Sequence, residues 1–121
     1  MEDAVWFTNL ADELARCLVD AERCATACEA LLEQVRRSSD PELRAIVVEA
    51  LIAPAAVARV LIELIDHPPR LVLAACRLCR DSATGAIEQL ERLDSRLDSA
   101  DAIAALRTAA ASCERLLGAT P

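Results

Sequence analysis

The sequence predicts an all-α protein, an antiparallel up-down-up-down four-helix bundle in a single domain over residues 1–121. Three observations predict it. Hydrophobic residues fill 55% of the positions but aromatics only 2%, and tyrosine is absent, so the core has to be built from Ala, Leu, Val, Ile and Cys. Ala and Leu are also the strongest helix formers. Glycine occurs only at Gly85 and Gly118, which leaves no material for a set of β-hairpin turns. Finally, apolar residues recur at alternating spacings of three and four in four separate stretches.

The first helix is expected over about residues 3–36, with an inward stripe of Leu10, Leu14, Cys17, Ala21, Cys24, Cys28, Leu31 and Val35. Ser38-Ser39-Asp40-Pro41-Glu42 stops it and starts the next. Asp40 suits the N-cap, and Pro41 suits the first helical position, where its missing N–H costs nothing. The second helix, about 41–65, turns Leu43, Val47, Ala50, Val57, Leu61 and Leu64 inward, with Pro54 expected to kink it. Asp66-His67-Pro68-Pro69 ends it. The third, about 68–96, carries Val72, Cys76, Cys79, Ala83, Ala86, Leu90 and Leu93. Asp98 and Ser99 cap the fourth, about 99–117, whose stripe is Ile103, Leu106, Ala110, Cys113 and Leu117, with Gly118 at the C′ position. Connections this short make neighbouring helices antiparallel.

Net charge narrows the function classes. At −7, with every basic residue an arginine, the chain lacks the basic face that nucleic acid or anionic lipid requires. The N-terminus, Met1-Glu2-Asp3-Ala4, is acidic where a signal peptide is basic. No apolar run approaches the roughly 18 residues that span a bilayer, because Glu49, Pro54, Arg59 and Glu63 interrupt the longest one, residues 45–64. A cytoplasmic protein with reduced cysteines is therefore expected. Glycine-rich phosphate loops and a His-paired nucleophile are both missing. Acidic residues such as Asp12, Glu13, Glu22, Glu29, Glu33, Glu49, Glu63 and Glu88 read mostly as a solvated face. A di-iron bundle needs inward Glu with Glu-x-x-His pairs, and the only histidine, His67, lies in a turn.

Six cysteines are the chemistry-bearing residues, and all lie on inward stripes. With a rise of about 1.5 Å per residue, Cys24, Cys79 and Cys113 fall at nearly one level, about 21–22 Å below the end holding the first and third turns. Cys28 sits about one turn above, Cys76 about one turn below and Cys17 nearer the bottom. Opposite them the second helix offers only small residues, Pro54-Ala55-Ala56-Val57. A core built merely to pack has no reason to gather its sulfurs in one half. Thiolates are soft ligands that select Cu(I), Zn(II) or iron–sulfur clusters. Cys24-x-x-x-Cys28 and Cys76-x-x-Cys79 each place two sulfurs on one helix face. Two other uses stay open: buried thiols that only fill the core of a helical structural or interaction module, and redox or disulfide chemistry.

Three stretches, Cys24-Ala-Thr-Ala-Cys28-Glu-Ala, Ala75-Cys76-Arg-Leu-Cys79-Arg-Asp and Ser112-Cys113-Glu-Arg-Leu-Leu, resemble the cysteine-rich copper storage proteins. The resemblance runs through the whole chain in helix order and length. It implies a non-enzymatic four-helix bundle that holds Cu(I) by cysteine pairs in its core, in a cytosolic member of the family. Carried over, it makes Cys24, Cys28, Cys76, Cys79 and Cys113 copper ligands, and Cys17 a further one. Family members usually carry more cysteines, on every helix. Here the second helix has none and the fourth has only Cys113, which implies a small pocket rather than a long tube of sites. Zn or an iron–sulfur cluster is the less favoured cargo.

Two other features carry expectations. His67, before Pro68-Pro69 at the cysteine-rich end, reads as an exposed turn residue that could also guard the way in. Trp6 and Phe7, almost the only large aromatics, either cap the bottom of the core or pack on another subunit. The apolar stripes are wide enough to allow a homo-oligomer.

Overall fold

Four helices form: α1 Glu2–Arg36, α2 Pro41–Glu63, α3 Pro69–Glu91 and α4 Ala100–Ala119. The computed structural model describes residues 2–93 and 97–119, with side chains from Leu10 onward. The expectations for the Trp6 and Phe7 side chains therefore lie outside the described residues.

Local chemistry sets the helix boundaries. After α1, the Arg37 and Ser38 N–H groups donate to the Gln34 and Val35 carbonyls at 3.2 and 2.9 Å. Asp40, in an extended conformation, accepts from the Leu43 N–H at 3.2 Å and leads into Pro41 as anticipated. Ser38 offers its carbonyl to the Arg44 guanidinium and its hydroxyl oxygen to the Asp40 N–H, at 3.1 Å for the latter, which ties down the turn. α2 ends where the Leu64 N–H donates to Val60 and Leu61, and Pro68-Pro69 then opens α3 without a side-chain cap. Asp98 caps α4 by accepting from the Ala100 N–H at 3.3 Å.

Three boundaries differ from expectation. α3 stops at Glu91, with Arg92 at its C-cap, rather than running to about residue 96. α2 stops at Glu63 rather than Ile65, and α4 continues to Ala119, so Gly118 lies inside its last turn instead of at C′. A glycine near a helix end marks a stop only if the chain turns there into the left-handed region; Gly118 does not.

α1 packs on α2 and α4, and α3 packs on α2 and α4, so the four helices close a ring. Short connections make each neighbour antiparallel, giving the up-down-up-down bundle. The predicted inward stripe holds on α1 from Cys17 onward, with Leu10 and Leu14 half-buried, and throughout α3. α4 is rotated: Ala102, Leu106, Ala109, Ser112, Cys113 and Leu116 are buried, while Ile103, Ala110 and Leu117 lie at the margin. So many of its residues are small and apolar that hydrophobicity alone fits two neighbouring stripes.

α2 departs further. Its buried face also takes in Leu51, Pro54, Ala55 and Ala58, and the helix continues through Pro54, whose ring leaves one carbonyl without its intrahelical donor. By length and composition α2 is apolar enough to cross a membrane, with a mean hydropathy of 2.2 over an 18-residue window. That corrects the expectation that its charges interrupt it too often. Eighteen residues can be chosen that include no more than two of them. In the bundle α2 packs laterally on α1 and α3.

Candidate metal centre

Each cysteine is placed by the helix stripe that carries it. Cys17, Cys24 and Cys28 come from α1, Cys76 and Cys79 from α3, and Cys113 from α4. All six are buried and all are free thiols. Leu61, Val72 and Leu116 close the core on one side of them, while Leu31, Val35, Leu43 and Val47 fill the opposite half. Small buried residues of α2, Ala55 and Ala58, lie across from them and leave room for sulfur.

Cys17, Cys76 and Cys113 form the tightest group, with their sulfur atoms all within 4.8 Å of one another. Cys17 Sγ and Cys113 Sγ are 3.9 Å apart. A metal bound in a trigonal thiolate plane at about 2.3 Å per bond needs sulfurs about 4.0 Å apart, so the spacing matches a three-coordinate soft ion. Equal levelling had grouped Cys113 with Cys24 and Cys79. The structure groups its sulfur with those of Cys17 and Cys76, while it stays close enough to Cys79 to lower that thiol's pKa. Cys24 and Cys28 form a second pair, one turn apart on α1, close enough to each other and to Cys79 for both neighbours to raise the Cys24 thiol. The thiols thus run as a chain from the three-sulfur group through Cys79 to the Cys24–Cys28 pair.

Protonation follows from that crowding. Hydrogen bonds donated by Cys113 and then Cys17 pull the Cys76 thiol down to about 4, against the opposing effect of burial. Cys79 is also lowered, by a hydrogen bond from Cys113. Cys113 is driven far up by hydrogen bonding of its single S–H among the neighbouring sulfurs of Cys17, Cys76 and Cys79, and by burial. For Cys17, the bond with Cys113 lowers the pKa, but the bond with Cys76, burial and the charges of Cys76 and Asp20 outweigh it and raise it to about 12. Cys24 is raised by its bond with Cys28 and by burial.

Buried polar residues flank the group. Asp20 (6% exposed) accepts a hydrogen bond from the Ser112 hydroxyl (fully buried), and Arg115 donates to the same Ser112 oxygen at 2.9 Å. Arg115 also meets Glu13 at 3.4 Å. This α1–α4 link sits one residue from Cys113 and three from Cys17, and sequence reasoning missed it. The available signal was Ser112, a polar residue directly beside an inward cysteine. His67 is exposed, as expected, and rims a recess of ≈ 100 Å³ with Leu10, Leu14, Val72 and Leu116 at this end of the bundle.

A scan of family models matches the copper storage protein family over residues 10–118. The chain belongs to the copper storage protein family. The matched region takes in α2 and α3, most of α1, α4 up to Gly118 and every cysteine. Like the family, the protein is not an enzyme: it stores copper, held as Cu(I) by cysteine, and the buried three-sulfur group has the spacing to bind a metal. Neither the curated proteins nor the solved structures yield a match to this copper storage protein.

Proposed function

We propose that the protein stores a small number of Cu(I) ions inside the bundle, with Cys17, Cys76 and Cys113 as the primary three-thiolate site. Cys24 and Cys28, joined to it through Cys79, form the second. The single observation that supports this division is the clustering of three sulfurs from three helices within 4.8 Å. The crowded, buried thiols favour a monovalent soft ion over Zn(II): each further thiolate adds negative charge in a core that holds no cationic side chain among its buried residues. A cytosolic, reducing setting suits six free thiols.

Titrating the reduced protein with Cu(I) against a chromogenic chelator tests the assignment. C17A/C76A/C113A should remove the tightest-binding ions and leave weaker retention by Cys24, Cys28 and Cys79. C24A/C28A should do the reverse, lowering capacity while the tightest site survives. Loss of all copper in both variants would show one indivisible cluster, and unchanged retention in the first would return the thiols to simple core filling.

A further inference from the structure

α4 is rolled in a direction that apolar surface does not favour. Its buried face takes in Ala102 and Ser112 and leaves Ile103 and Ala110 at the margin. Rolled the other way, the helix would bury Ile103 in place of Ala102 and Ala110 in place of Ser112. Burying a serine hydroxyl without a partner costs free energy, so a polar contact has to hold the observed roll.

That contact is with Asp20. Among the described residues Asp20, Ser99 and Ser112 are the buried polar ones, and two of the three are bonded to each other beside the thiols. Arg115, one turn on from Ser112, donates to the Ser112 oxygen at 2.9 Å. The hydroxyl hydrogen is then left for Asp20, which fixes the direction of the bond. Glu13 meets Arg115 in turn at 3.4 Å. No buried side-chain oxygen or nitrogen among the described residues lacks a partner. A buried polar network satisfied in this way specifies one geometry, whereas an alanine-rich face accepts several.

The same two helices carry two of the three clustered sulfurs. Asp20 follows Cys17 by about one turn on α1, and Ser112 directly precedes Cys113 on α4. The Asp20–Ser112 bond and the 3.9 Å approach of Cys17 Sγ to Cys113 Sγ are therefore two α1–α4 contacts at different heights. A single contact between two helices lets each pivot about it; two contacts fix slide and roll together. Turning α4 towards its alternative stripe would swing the Cys113 sulfur along an arc about the helix axis, away from the point it shares with Cys17 and Cys76.

We infer, on the three-thiolate assignment of the primary site, that Ser112 and Asp20 are positioning residues for copper: their hydrogen bond sets the roll of α4 that brings Cys113 Sγ to Cys17 and Cys76. Neither residue touches the ion. Groups that orient ligands without binding the metal commonly govern its affinity.

Reduced protein carrying one equivalent of Cu(I) provides the test. X-ray absorption counts the sulfurs around the ion, and competition with a chromogenic chelator reads its affinity. The wild type should show three sulfurs. D20L/S112A replaces both partners by apolar groups and strands neither, so helicity and thermal stability should stay near wild type. It should hold the first ion through two sulfurs and about 10–100-fold more weakly. S112A should show the same loss, whereas D20N, which keeps an acceptor for the hydroxyl, should retain wild-type affinity and coordination. A folded D20L/S112A that binds its first ion through three sulfurs at wild-type affinity would overturn the positioning role and leave the three-thiolate assignment standing. A D20N as impaired as the double variant would overturn it too, because the charge and not the bond would then be at work. Two sulfurs in the wild type would overturn the assignment itself, and the positioning role with it.

Discussion

Ser112 and Asp20 show how much a single buried polar pair carries beside a thiol cluster. Ser112→Ala leaves the Asp20 carboxylate short of a hydrogen bond while it stays 6% exposed, at a cost of about 1–3 kcal/mol in denaturant unfolding. Asp20→Asn keeps an acceptor for Ser112 and should cost less. A larger loss for the Asn variant would mean that the charge, and not the hydrogen bond, is what α1 and α4 require. The cysteines give a pH signature as well. Cys17 is raised from 9.0 to about 12, so above pH 9 the unfolded chain gives up a proton that the folded apo chain retains. Stability from this group is complete below pH 9 and declines as pH rises towards 12, by up to about 1.4 kcal/mol per pH unit for each such proton. Cys76, lowered to about 4, acts in the opposite sense and withdraws stability as pH falls from 9 towards 4. Denaturation midpoints of the reduced apo protein should therefore fall above pH 9, and C17A/C76A/C113A should flatten that fall. Copper loading displaces the protons of Cys17, Cys24 and Cys113, so retention should weaken as pH drops.

Among the elements, the caps were readable and the rotations were not. Asp40-Pro41 has one sensible use, and the structure gives it that use. Asp40→Ala should cost about 0.5–2 kcal/mol through the lost Leu43 N–H bond, visible as a lower thermal midpoint with native copper capacity. α3 was legible because its stripe alternates with charged neighbours such as Arg77, Asp81 and Glu88, which leaves only one face apolar. α4 was not: Ala102, Ala105, Ala109 and Ala110 satisfy either of two adjacent stripes, and only packing against α1 and α3 decides between them. That small rotation belongs to the same helix whose cysteine meets Cys17 and Cys76 as well as Cys79. Levelling by rise per residue is good to about one turn, and one turn separates Cys79 from Cys76 as a neighbour for Cys113.

For the molecule as a whole, composition and turn chemistry were enough to specify the bundle, and the inward cysteines were enough to indicate the kind of cargo. The outer face of α2 was hidden by a different limit. Its charges look like interruptions when read along the chain, whereas on the helix surface Arg59 is gathered in by Glu22 and Glu29, and Val48, Ile52 and Val60 are left facing outward. Inward stripes are visible to a count of apolar positions. A second apolar side is noticed only once the first has been spent on the core.

The alanines facing the thiols set the protein's capacity by omission. Ala55 and Ala58 on α2 and Ala109 on α4 are buried along the same interior as the cysteines. Exchanging alanine for cysteine adds a single sulfur atom and keeps the side chain apolar. Ala58→Cys, or Ala58→Cys with Ala109→Cys, should then raise the number of Cu(I) ions retained against chelator in steps, with helicity unchanged. On that footing, storage capacity in this fold is a graded trait, adjustable one methyl group at a time along a ladder of interchangeable interior positions, and this chain occupies one of its lower rungs.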